Sequence, residues 1–226
     1  MPWNPSLWKF TFVVTVLLGA CSGSASEADG GPTPLPESDI LTPINAGVRS
    51  VETFEQPFTL DYPDGWYRVV VAANFFATEP AADFDLVFMQ PSELNDPTDL
   101  GFPGLDFEPW DVADFDGWLQ AIPQELIVAG PEEQVVAGLP ATRVELEVTD
   151  ESICASEDFC IGFARTSIDG NGRPMEPGRR YVKYWIELED GQLPFVISAA
   201  LPSVDEGDTV RNQFGSLLDS LDLSGP

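Results

Sequence analysis

Residues 58 to 62, FTLDY, alternate strictly: Phe58, Leu60 and Tyr62 fall on one side, Thr59 and Asp61 on the other. A period of two predicts a strand with one face buried. Pro63 presets φ and Gly65 accepts a positive φ, so YPDGW reads as a chain reversal, after which YRVVVAANFF, residues 67 to 76, predicts a second strand. FDLVFMQP, residues 84 to 91, predicts a third, and residues 91 to 109 form a Pro- and Gly-rich loop. In WDVADFDGWLQAIP the period changes: Val112, Phe115, Trp118 or Leu119, and Ile122 recur every three to four residues, which predicts a helix over 110 to 123. Asp111 is placed to cap its first turn, Asp114 suits its positive end, and Pro123 stops it.

Strands follow at ELIVAG (125 to 130) and VVAGLPATRVELEV (135 to 148), the second with Thr142, Val144, Leu146 and Val148 facing in and Arg143, Glu145 and Glu147 facing away. IGFARTSI (161 to 168), RRYVKYWIELE (179 to 189) and LPFVISAAL (193 to 201) complete the set, the last two joined at the hairpin signal Asp190-Gly191. A final helix opens on the capping-box pattern Ser203-Val204-Asp205-Glu206 and carries Val210, Phe214, Leu217, Leu218 and Leu221 on one stripe. Strands outnumber helices about seven to two in hairpin order, so the expected class is α+β, an antiparallel sheet with helices laid on it.

The N-terminal pattern differs again. Lys9 precedes the apolar run FTFVVTVLLGA, too short to span a bilayer as a mature helix and of the form of a signal peptide. Its end, Leu18-Gly19-Ala20-Cys21, resembles the bacterial lipobox, which implies cleavage after Ala20 and lipidation of Cys21. Acyl chains contribute about 0.8 kcal/mol per buried methylene, and two or three of them anchor a chain durably. Ordinary secretion with a free Cys21 is the alternative. SGSASEADGGPTPLPESD follows without an apolar period, so residues 21 to 46 read as the lipidated cysteine and a flexible tether. Such a tether holds the next domain roughly 25 to 30 Å from the bilayer. Residues 1 to 20 are then the signal peptide and 47 to 226 one domain.

Charge narrows the partners. The chain has 38 acidic and 10 basic residues, no histidine and a formal net charge of −28. Nucleic acid and anionic lipid headgroups repel such a surface, so membrane contact falls to the lipid on Cys21. Of three cysteines, Cys154 and Cys160 remain, in CASEDFC. In an oxidising compartment they are expected to form a short structural disulfide worth about 2 to 3 kcal/mol, since a redox pair favours C-x-x-C spacing.

Several segments together resemble the PsbP-like superfamily: a strand ending Tyr-Pro-Asp-Gly-Trp, AGLPATRVELEV after the middle helix, a late hairpin, SAALP, and a last helix ending LLDSLDL. With the lipobox, the nearest branch is that of the LpqN-type lipoproteins of actinobacteria. The resemblance implies an α-β-α sandwich around a central antiparallel sheet of about six to seven strands. It also implies a small non-enzymatic binding or assembly factor. It rests on core and turn residues, so it transfers no binding residues to this chain.

Absent histidine removes the usual general base, zinc ligand and Ser-His triad. Past the leader, Lys183 is the one lysine left to serve as a base. Between Arg68 and Arg143 lie fourteen acids and no base, including Asp96, Asp99, Asp106, Glu108, Asp111, Asp114 and Asp116. Oxygen ligands at that density suit Ca²⁺, although the EF-hand spacing is missing; the plainer reading is a solvated acidic face. Conversely Arg165, Arg173, Arg179, Arg180 and Lys183 concentrate positive charge beside Tyr181 and Trp185. They form either a basic-aromatic patch for an anionic ligand or protein, or a Trp185 packed under a helix with arginines paired to surplus acids. The expectation is a monomeric, lipid-anchored, extracytoplasmic binding or assembly module of the cell membrane, without catalysis or cofactor. It would contact a protein or envelope component; the alternative is an envelope hydrolase using paired carboxylates, with or without calcium.

Overall fold

The computed structural model describes residues 32–35, 42–72, 75–80, 86–97, 109–147, 164–165, 175, 178–189, 191–201 and 208–225. In chain order the strands are β1 (Thr33–Pro34), β2 (Thr42–Ile44), β3 (Gly47–Val51), β4 (Phe58–Tyr62), β5 (Trp66–Ala72), β6 (Phe75–Pro80), β7 (Leu86–Met89), β8 (Glu93–Asn95) and β9 (Pro109–Trp110). Then come α1 (Phe115–Ala121), β10 (Ile127–Val136), β11 (Leu139–Glu147), β12 (Ala164–Arg165), β13 (Arg180–Ile186), β14 (Phe195–Leu201) and α2 (Asp208–Asp219). Strands dominate, and α1 and α2 are the α-helices among the described residues.

Eight strands form the main sheet in the order β10-β11-β13-β14-β7-β6-β5-β2, antiparallel throughout. Two three-stranded sheets, β1-β3-β4 and β12-β8-β9, accompany it. Alternation along the main strands separates two cores. Leu86, Phe88, Val182, Tyr184, Phe195 and Ile197 pack with β4 and with Phe214, Leu217 and Leu221 of the α2 region. Val87, Met89, Val144, Tyr181, Trp185 and Val196 pack with Phe115, Trp118, Leu119 and Ile122 of the α1 region. Each core thus joins residues of the main sheet to residues of one helix region and of the added strands. Burial on both faces explains why β13 and β14 read as nearly unbroken apolar runs rather than alternating ones.

Aromatic rings fill the first core. Phe58 lies 5.1 Å from Phe88 and 5.1 Å from Phe195, the latter edge-on at 80°, and Phe54 closes on Phe58 at 5.0 Å. Full burial of each such ring is worth about 1.5 to 3 kcal/mol, and the edge-on pairs add about 0.5 to 1.5 kcal/mol. Gln90 fastens the 52–57 strap to this core: its Oε1 accepts from the Gln56 amide at 2.9 Å.

Several expectations change. The Tyr-Pro-Asp-Gly-Trp turn, with Gly65 at φ +89°, joins two different sheets rather than two paired strands. One edge of β4 is taken by β3, and Thr59 exchanges backbone hydrogen bonds with Asp222 at 2.9 and 3.1 Å, so β5 pairs with β2 and β6 instead. The run over 67 to 76 is two strands, with Ala72 opposite Phe75. The predicted strand over 135 to 148 bends at Ala137 and Gly138, whose φ values of +51° and +79° make the tight hairpin turn between β10 and β11. Within the stretch read as tether, β1 pairs with β3 and β2 with β5, and Ile44 enters the core. Among the described residues the sheet has eight strands instead of about six to seven. The capping box at 203 to 206 lies outside the described residues.

Candidate functional site

Tyr181, Lys183 and Trp185 do share a face of β13, but that face is interior. Their relative exposures are 8%, 2% and 5%, so they do not make a surface patch. Phe115 of α1 stacks on Trp185 with ring centroids 4.1 Å apart and planes within 4°, and Trp118 stacks behind Phe115 at 6.0 Å. The indole of Trp118 donates to the Asn95 carbonyl at 2.8 Å, which fastens α1 to β8. Trp185 thus packs under a helix because a flat aromatic stack buries more apolar area there than at the surface.

Lys183 is the unusual member. Its Nζ donates to Ser198 Oγ at 2.8 Å across the β13–β14 pair and lies 5.8 Å from the Tyr181 ring centroid. Desolvation by burial pushes its pKa down to about 7. Val144 stands opposite Lys183 on β11 and Val87 opposite Ser198 on β7, so the pair sits in an otherwise apolar row. Ser198 was not singled out from the sequence, yet a signal exists. A hairpin register centred between Asp190 and Gly191 puts residue 183 opposite 198, which is the observed pairing.

Arg179 and Arg180 stand where β13 emerges. Arg180 reaches Glu147 at 3.2 Å and Glu145 at 3.6 Å. Arg143 contacts Glu145 as well as Glu132, at 3.7 Å for the latter, so a charge ladder runs across β10, β11 and β13. Burial opposes the charge on Arg143, but the Glu145 and Tyr184 contacts outweigh it and raise its pKa. Of the arginines in the predicted cluster, Arg180 is the one described with acidic partners, Glu145 and Glu147. Arg173 lies outside the described residues, and of Arg165 only the backbone is described, in β12.

Two of the acidic residues around the helix start, Asp111 and Asp114, have structural work. Asp114, not Asp111, is the N-cap of α1: its carboxylate accepts from the Gly117 amide at 3.1 Å. Asp111 accepts from the Ala113 amide at 2.9 Å, a turn one step earlier. Among the described residues no three His, Cys, Asp or Glu side chains stand close enough to hold a metal ion. Asp96 is described in the loop after β8, while Asp99, Asp106 and Glu108 lie outside the described residues, as do Cys21, Cys154 and Cys160. No helix among the described residues is long and apolar enough to cross a membrane.

Two surface grooves lie among the described residues. One, of about 480 Å³, lies between Asp61–Pro63 and Asn212, Gln213, Ser216 and Ser220. The other, of about 610 Å³, lies beside the β10–β11 hairpin and includes Glu133, Val135, Pro140, Thr142 and Glu187. That hairpin, which the sequence reading broke across 130 to 135, carries six consecutive exposed residues from Gly130 to Val135.

No protein family and no curated protein matches the chain. Several solved structures resemble it distantly, two of them as follows. LpqN of Mycobacterium tuberculosis, described as involved in cell envelope biogenesis, aligns at 13% identity and a TM-score of 0.35 over 81% of this chain and 90% of its own. A protein of Bacteroides thetaiotaomicron aligns at 9% identity and a TM-score of 0.34 over 74% of this chain. This chain spans 44% of the Bacteroides protein's length.

Proposed function

We propose that the protein is a lipid-anchored, monomeric binding or assembly module of the cell envelope, held outside the cytoplasm through Cys21 and acting by contact without catalysis. Its domain is a PsbP-like α-β-α sandwich in this reading. The lipobox Leu18-Gly19-Ala20-Cys21 after a short apolar run carries the proposal. Support for contact over chemistry comes from the use of the candidate groups: Asp114 caps a helix, Glu145 and Glu147 hold Arg180, and Lys183 is committed to the core. Replacing Cys21 with serine should move the protein from the membrane fraction to the soluble fraction, and unchanged membrane association refutes the anchor. The purified protein should leave a panel of envelope glycans and esters intact. Turnover that disappears on replacing one pair of carboxylates would establish the hydrolase alternative instead.

A further inference from the structure

Among the described residues the main sheet has two ends, and they are built differently. At one, β2 is three residues long and contains Pro43, which cannot donate to a further strand. At the other, β10 is ten residues long, and Glu132 to Val136 pair one-to-one with Arg143 to Leu139 without a bulge. The orientation of its backbone follows from the hairpin. The two-residue turn makes Val136 and Leu139 the hydrogen-bonded closing pair, so the Val135 and Pro140 pair is the non-bonded one. Pro140 agrees with this, since its carbonyl accepts from the Glu187 amide at 3.2 Å on the opposite side, away from β10. The N–H and C=O groups of Val135, and two residues back those of Glu133, therefore point outward from the sheet. They present four hydrogen-bonding groups along an edge whose side chains are exposed on both faces.

Such edges are normally blunted by proline, by charge or by being short. Pro131 lies before the regular stretch, so among the described residues charge alone guards the edge from Glu132 to Val136. That guard has a sign. Glu132 and Glu133, with Glu187 beside the groove, repel an acidic strand, including that of a second copy carrying its own net charge of −28. They attract a basic one. Val135, at 74% exposure the most exposed large apolar side chain described, lies along the groove with Glu133, Pro140 and Thr142 and offers an apolar contact for alternate side chains of an added strand.

We infer that the edge of β10 from Glu132 to Val136 takes up an extended, lysine- or arginine-bearing segment of another protein as a ninth strand. This deepens the contact reading and rests on it. The probe is a capped heptapeptide alternating lysine and valine, titrated onto the full-length protein at low salt with its glutamate-valine counterpart as control. The basic peptide binds, slows hydrogen exchange at the Val135 and Glu133 amides, and loses affinity at least tenfold on Glu133→Lys and as salt rises. Val135→Pro removes an outward N–H and abolishes binding, with folding verified by circular dichroism. Equal binding to wild type and Glu133→Lys, or equal binding of the acidic peptide, overturns the inference. So does a sedimenting dimer that Val135→Pro dissociates, since a second copy would then be the occupant. Neither variant touches the Cys21 anchor or the panel assay, so failure at the edge and failure of the contact reading show up in separate measurements.

Discussion

Replacing Lys183 with methionine tests the most consequential buried group. In the unfolded chain a lysine keeps its ordinary value near 10.5, while in the folded protein burial lowers it to about 7. Between those values the unfolded state holds a proton that the native state has released, so unfolding takes one up and native stability rises with pH across the window. Below about 7 both states are protonated and the full penalty of a buried ammonium remains. At about 1.36 kcal/mol per pH unit the interval corresponds to on the order of 5 kcal/mol. The Tyr181 ring favours the charged form and returns up to about 2 kcal/mol, so the swing should fall between about 3 and 5 kcal/mol. Methionine fills similar space without a charge, at the cost of about 1 to 3 kcal/mol for the stranded Ser198 hydroxyl at every pH. Urea unfolding followed by circular dichroism at pH 6 and pH 10 gives the answer directly. Lys183→Met should be the less stable protein at pH 10, with the deficit closing or reversing at pH 6. A wild-type-minus-variant difference equal at both pH values refutes the reasoning, because other titrating groups cancel in that comparison.

Asp114→Ala removes the N-cap of α1 and should cost about 1 kcal/mol, seen as a fall of about 2 to 4 °C in Tm. Asp111→Ala, which loses only the turn bond to Ala113, should cost less in the same melt. Intact-mass measurement of the unreduced protein should find Cys154 and Cys160 two hydrogens lighter than the reduced form, and free thiols there remove the staple.

Strand and helix identity was legible wherever one periodicity ran uninterrupted. Phe58, Leu60 and Tyr62 are all interior, Val144 and Leu146 face in, and Phe115, Trp118 and Leu119 form the buried stripe of α1. Errors came where a turn had no loud residue to mark it. In the run over 67 to 76 Asn74 is the one turn-favouring residue, and it lacks the glycine that usually completes such a turn. Ala137, held at a positive φ beside Gly138, is not a residue that advertises such a turn. The helix cap was displaced by one turn because Asp111 and Asp114 both suit the role, and only the fit of the Gly117 amide decides between them.

Composition and local pattern by themselves determined the class of element at most positions, the excess of negative charge and the chemistry that a chain without histidine forgoes, because these depend on neighbours within a few residues. Which strands meet was decided by tertiary structure alone. Pairing is a contest between edges distant in sequence, and Asp222 closes one edge of β4 from 163 positions away. The same contest turned Tyr181, Lys183 and Trp185 inward. A strand covered on both faces has no outside, and only the arrival of α1 over β13 showed that this one had none.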